Sequence, residues 1–172
     1  MTYTLENLAT DIRQTLQGNP DNQGSSDICQ FVEQALGDET FISTYFGADK
    51  TRPRHIIYED PDFGFCVCVH ISQNAKNGNP HDHGSSWAVY GQAEGVTEMT
   101  HWRIVEPAAG DSAALVAQVE TLVMKPGMAH FYQVGDIHAP NRSGKSMLLR
   151  IEGANLDNIK RSKIKPVGAP AA

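Results

Sequence analysis

The sequence predicts an all-β barrel with a small α-helical cap at its N-terminus, and three observations point there. Helical periodicity is confined to the first fifty residues. After Lys50 the chain becomes a series of short runs rich in β-branched and aromatic residues, separated by turn signals and without any long helical pattern. At 172 residues and 40% hydrophobic composition, the chain can bury one sizeable core but not two comfortable ones. The expected organisation is one domain: a helical cap over residues 1–50, a barrel over 51–157 and a tail over 158–172.

In the cap, LENLATDIRQTL places Leu5, Leu8, Ile12 and Leu16 three or four apart, the stripe of an amphipathic helix, which Gly18, Asn19 and Pro20 end. SSDICQFVEQALGD repeats the signature. Ser26 or Asp27 caps its start, Ile28, Phe31, Val32 and Leu36 form the stripe, and Gly37 marks the stop. A third short helical turn includes Phe41 to Phe46. The strand candidates then follow as RHIIYED, FGFCVCVHIS, SWAVYGQAEG, TEMTHWRIVE, LVAQVETLVM, HFYQV and MLLRIEG. DPDFG, NAKNGNP, PAAGDSA, KPGM and NRSGK punctuate them. Strands at hairpin spacing without intervening helices indicate an antiparallel sandwich or closed barrel. Beyond Asp157 the chain turns basic and ends in PVGAPAA, which reads as a loose tail.

The formal charge of -6 argues against general nucleic-acid binding, which draws on a basic surface. No apolar run approaches the roughly 20 residues that span a bilayer, and MTYTLENLATDIRQ carries no signal-peptide pattern. Cys29, Cys66 and Cys68 are odd in number and lack framework spacing. In FCVCV, Cys66 and Cys68 suit small buried hydrophobes on one strand face. These features suggest a reduced, cytoplasmic setting.

Chemistry concentrates in NPHDHGSSWAVYGQAEG. His81 and His83 sit one residue apart on what reads as a strand, so they project the same way with Asp82 opposed. Such a pair is either a hydrophilic turn or half of a metal site. A third histidine, His138, opens a late strand in VGDIHAPNRSG. A barrel that gathers all three supplies three neutral nitrogen donors, a set that suits iron, zinc, copper or nickel. With no carboxylate among them, the charge of a divalent ion stays uncompensated and the site attracts anions. His101 and His130 read as structural, and His55 and His70 as surface or core residues. Trp87 and Tyr90 fall on opposite strand faces, so at most one lines a cavity.

The spacing H-x-H, then Ala88, then Gly95 resembles the first motif of the cupin superfamily, and GDIHAPN resembles the second, with His138 as its metal ligand. Most metal-binding cupins place a glutamate where Ala88 stands. That substitution, with PHDHGSSW before it, is similar to the thiol dioxygenase branch, which comprises cysteine dioxygenase and the bacterial 3-mercaptopropionate dioxygenases. The likeness runs loosely from Arg52 to Asp157. It implies a cupin double-stranded β-helix (jelly-roll) barrel in which His81, His83 and His138 hold Fe(II), with Zn, Ni and Mn as alternatives. It also implies that Fe(II) binds a thiolate and then dioxygen, both oxygen atoms going to sulfur to give a sulfinate. The expected partners are a small anionic substrate and dioxygen, with the protein a monomer or homodimer. Arg54, with Arg52 as competitor, matches the arginine that holds the substrate carboxylate as a bidentate pair.

The sequence departs from that family on its last strand. Leu148, Arg150 and Glu152 occupy the positions of a serine, a histidine and a tyrosine, and Ala88 replaces a cysteine that some members crosslink to that tyrosine. Asn141 falls one residue early in the second motif. Arg150 and Glu152 share one strand face, so they either form an interior ion pair or serve as an anion-binding group and an acid or base. The pair keeps a carbon–carbon-cleaving dioxygenase or a metal-assisted isomerase in view. The absent tyrosine keeps a non-catalytic metal- or ligand-binding protein in view.

Overall fold

Three helices occupy the N-terminal region of the computed structural model, which describes residues 2–19 and 23–168. α1 (Leu5–Gly18) begins with a reciprocal cap: Thr4 accepts from the Asn7 backbone, and the Asn7 side chain accepts from the Thr4 backbone. Its C-cap is Asn19; Pro20 lies outside the described residues. α2 (Ile28–Leu36) follows Asp27, whose side chain makes no capping bond, and closes at Gly37. α3 (Glu39–Phe46) starts two residues before the expected turn because Asp38 caps it, accepting from the Phe41 N–H. No described helix is long and apolar enough to cross a membrane.

The strands are β1 (Arg54–Glu59), β2 (Cys66–Ser72), β3 (Lys76–Asn77), β4 (Ala88–Glu94), β5 (Thr97–Glu106), β6 (Ala114–Met124), β7 (Ala129–Tyr132), β8 (Ile137–Arg142), β9 (Ser146–Glu152) and β10 (Ile164–Pro166). They form two five-stranded sheets, ordered β1-β2-β9-β4-β7 and β10-β6-β5-β8-β3. Without the outer strands β1 and β10, β2 to β9 have the paired four-stranded order of a jelly roll. β3 lies inside the expected NAKNGNP turn. β10 lies in the expected loose tail, which is tied down there by parallel pairing of Ile164, Lys165 and Pro166 with Ala114, Leu115 and Val116. Three residues that include a proline carry too little pattern to read as a strand.

Strand alternation divides the first sheet into two chemically different faces. Val67, Val69, Val89, Leu149 and Ile151 join Leu8, Ile12, Leu16 and Val32 of the helices in one buried core. Gly91 permits the close approach of α2, because a Cβ there would meet Val32 Cγ1 at 2.4 Å. Trp87 belongs to this helix-covered side, whereas Tyr90 faces the barrel with Met99, Met124 and Tyr132, so only one of the pair points inward. On the same inward face β2 presents Cys66, Cys68 and His70, and β9 presents Leu148, Arg150 and Glu152. Cys66 and Cys68 are both buried, as their alternation predicts.

Candidate metal centre

The H-x-H pair does not lie on a strand. β4 begins only at Ala88, and His81 makes an isolated antiparallel bridge with His138, each backbone N–H donating to the other's carbonyl at 3.0 Å. The Gly84-Ser85-Ser86 segment interrupts the strand, with Gly84 at a φ of 60 that favours glycine. The one bridge still keeps His81 and His83 on a common side. Asp82 points the other way and accepts from the backbone N–H groups of Gly84 and Ser162, which fastens the loop to the C-terminal segment.

The three predicted ligands converge. His81 and His138 have ring centroids 4.7 Å apart, His83 and His138 4.8 Å, and His81 and His83 5.8 Å. One donor atom from each lies within 4.8 Å of the others. Three points at that limit share a centre roughly 2.8 Å away, against metal–imidazole bonds of about 2.0–2.1 Å. His81 Nδ1 lies 3.0 Å from the Asn79 carbonyl and donates to it, leaving Nε2 free as a ligand. His83 Nδ1 and His138 Nδ1 are buried and have no hydrogen-bond partner.

Burial pushes the pKa of His81 down to about 4 and that of His83 to about 2, with the Arg150 charge acting the same way on both. His138 falls well below its usual value, again first through burial and then through the other two rings. All three are therefore neutral at pH 7, the form that ligates metals. No carboxylate belongs to the group, and Ala88, fully buried, offers no donor. The residues present fit a divalent ion held by nitrogen.

Two tyrosines complete the surroundings, and the sequence reading assigned neither to the cluster. Tyr90 Oη lies 2.9 Å from His83 Nε2 and 3.3 Å from His138 Nε2. A hydroxyl carried by β4 thus lies between two of the three rings. Tyr132 stacks on His138 with centroids 4.0 Å apart. Its hydroxyl lies 3.3 Å from His101 Nε2, while His101 Nδ1 meets Glu120 at 2.8 Å. His130 stacks on His101. These contacts link both histidines to Tyr132 and, through it, to His138.

A second, charged cluster lies beside the first. Arg150 and Glu152 approach to 3.4 Å, an interior ion pair, which is the first of the two arrangements their shared face allows. The Arg150 guanidinium sits 4.3 Å over the Tyr90 ring, linking the two clusters. Arg54 binds Glu152 at 2.8 Å and Asp157 at 2.6 Å, so the arginine expected to hold a substrate carboxylate already holds two of the chain's own. Arg52 is exposed. His70, which read as a surface or core residue, joins this cluster with Nε2 accepting from Arg150 Nη1 at 3.3 Å. Burial pushes His70 down to about 4, consistent with a neutral acceptor. Burial would raise the pKa of Glu152, but the charges of Arg150 and Arg54 and the Arg54 hydrogen bond outweigh it and hold the carboxylate ionised. Of the remaining histidines, His55 is exposed.

No protein-family model matches this sequence, and no curated protein matches it. Similar solved structures include a cupin superfamily protein from Desulfitobacterium hafniense, at 10% identity over 59% of this chain and 80% of that one with a TM-score of 0.44. KdgF from Halomonas sp. aligns at 15% identity over 60% of this chain and 83% of its own, with a TM-score of 0.43. A cupin-2 domain containing protein from Shewanella frigidimarina aligns at 13% identity over 69% and 95%, with a TM-score of 0.45.

Proposed function

We propose that the protein is a non-heme Fe(II) dioxygenase of the thiol dioxygenase type, converting a small anionic thiol and dioxygen into a sulfinate and a proton. The observation that carries this reading is the convergence of His81, His83 and His138, all neutral, with no acidic donor among them. Such a set leaves the ion's full charge available to attract an anionic ligand, and three ligands leave positions for substrate and dioxygen. Iron bound there supplies the redox chemistry that lets dioxygen react with sulfur.

The surrounding residues have separable tasks. Tyr90 keeps its buried hydroxyl among the imidazoles, where it can donate a hydrogen bond to a group bound beside them. Arg150 adds positive charge behind the Tyr90 ring and favours an anion in the barrel. Glu152 holds Arg54 and Arg150 in place. Because Glu152 stays ionised between those guanidiniums, it makes a poor proton donor and a weak base, which disfavours the isomerase reading.

The test is oxygen consumption by the iron-loaded protein offered cysteine, 3-mercaptopropionate or a 1,3-diketone. The proposal expects one dioxygen consumed per thiol and a sulfinate product. Consumption with the diketone alone, or with none of the three, overturns it.

A further inference from the structure

One opening at the barrel carries a charge that the metal site does not explain. A cavity of about 570 Å³ is lined by Arg54, His70, Ser72, Lys76, Arg142 and Ser146 among others, and no carboxylate lines it. In a chain of net charge -6 that composition is unusual. Arg54 is neutralised by Glu152 and Asp157, but Arg142 and Lys76 form no salt bridge among the described residues. Arg142 Nε is buried and has no hydrogen-bond partner.

The register sharpens the point. Lys76 pairs directly with Arg142 in the β3–β8 ladder, so both side chains leave the same face from opposite positions. Like charges placed directly opposite destabilise a sheet unless something of the other sign lies between them. Arg142 is also four residues beyond His138 on β8, and therefore on the same side of the strand as the metal ligand.

We propose that Lys76 and Arg142 form an anion clamp that takes the carboxylate of a small organic acid. Arg142 supplies the planar fork that matches a carboxylate's two oxygens, and Lys76 supplies a point charge from the facing strand. Assigning this clamp to the substrate's acidic end rests on the thiol dioxygenase reading; the clamp itself does not. It also moves the carboxylate-holding role from Arg54, whose guanidinium is occupied, to Arg142.

Calorimetric titration of the metal-free protein with succinate, and separately with inorganic phosphate, at fixed ionic strength tests the clamp without involving iron or oxygen. Saturable succinate binding is expected, weakened about tenfold or more in Arg142→Gln and less in Lys76→Gln, and unchanged in Arg103→Gln, an exposed position on β5. In anion-free buffer Lys76→Gln should raise Tm by removing the repulsion, and succinate should raise Tm more in the unaltered protein than in that variant. This second readout serves if Arg142→Gln folds poorly. Absence of saturable succinate binding, phosphate binding in its place, or full binding by Arg142→Gln or Lys76→Gln overturns the clamp. None of these outcomes bears on metal retention or oxygen consumption, so failure of the clamp is distinguishable from failure of the enzymatic proposal.

Discussion

Two groups in the barrel bring three potential metal-binding side chains within 4.8 Å, and they differ in everything else. His81, His83 and His138 present neutral nitrogens with a tyrosine hydroxyl beside them. Cys68, His70 and Glu152 present a carboxylate already paired with two guanidiniums and a thiol whose pKa burial pushes up to about 12. An ion entering the second group would displace Arg54 and Arg150 from Glu152 and strip a proton from Cys68. Entering the first, it would relieve unpartnered imidazole nitrogens. Proximity of ligand atoms is therefore insufficient; the charge around them decides. The second cluster reads as a structural ion-pair network that fixes the inner face on which the first is built.

The largest expected effect falls on the charged cluster. Glu152→Ala leaves Arg54 and Arg150 without their buried partner and should cost about 3–5 kcal/mol in urea unfolding. A loss below about 1 kcal/mol would remove the ion-pair network from the account of stability.

Acid should separate the buried histidines of both clusters from Glu152 by pH window. The buried rings of His70 and His81 titrate at about 4 in the fold, against 6.5 when unperturbed. Below pH 6.5 the unfolded chain therefore binds protons that the native chain refuses. Their contribution is complete above pH 6.5 and is lost as pH falls toward about 4. Glu152, whose folded pKa is depressed, has the same sign in a lower window, losing its contribution below its usual value of 4.5. Urea midpoints of the metal-free protein should hold steady above pH 6.5 and fall below it, first through the histidine window and then through that of Glu152. Glu152→Gln should flatten only the lower limb, and an unchanged lower limb would break the distinction.

The smallest effect belongs to the neutral cluster's hydroxyl. Tyr90→Phe removes the partner shared by His83 and His138 and should cost about 1 kcal/mol of metal-free stability, without breaking the charged network. A loss as large as that of Glu152→Ala would show that the clusters behave as one unit, which their bridge through Arg150 and Tyr90 makes a fair test.

The readable parts of the site were local. His81 and His83 share a side whether residue 81 lies in a strand or in a single bridge, so the pattern survives the misassigned element. Arg150 and Glu152 share a face by strand alternation alone, and their pairing follows. What escaped the sequence depends on register between distant strands. Tyr90 reaches His138 across the barrel from a position 48 residues away. His70 meets Arg150 because β2 pairs with β9, at a separation of 80 residues. Arg54 finds Asp157 only once the chain returns past β9. No periodicity announces such contacts, so a residue read for substrate binding proved to be bound within the protein.

Iron content after anaerobic Fe(II) loading and desalting tests the central claim most directly, in the unaltered protein, His138→Ala and Glu152→Gln. The account predicts one iron per chain in the unaltered protein and in Glu152→Gln, and almost none in His138→Ala. Iron kept by His138→Ala but lost from Glu152→Gln would contradict it by moving the metal to the other cluster, and no retention in the unaltered protein would contradict it outright.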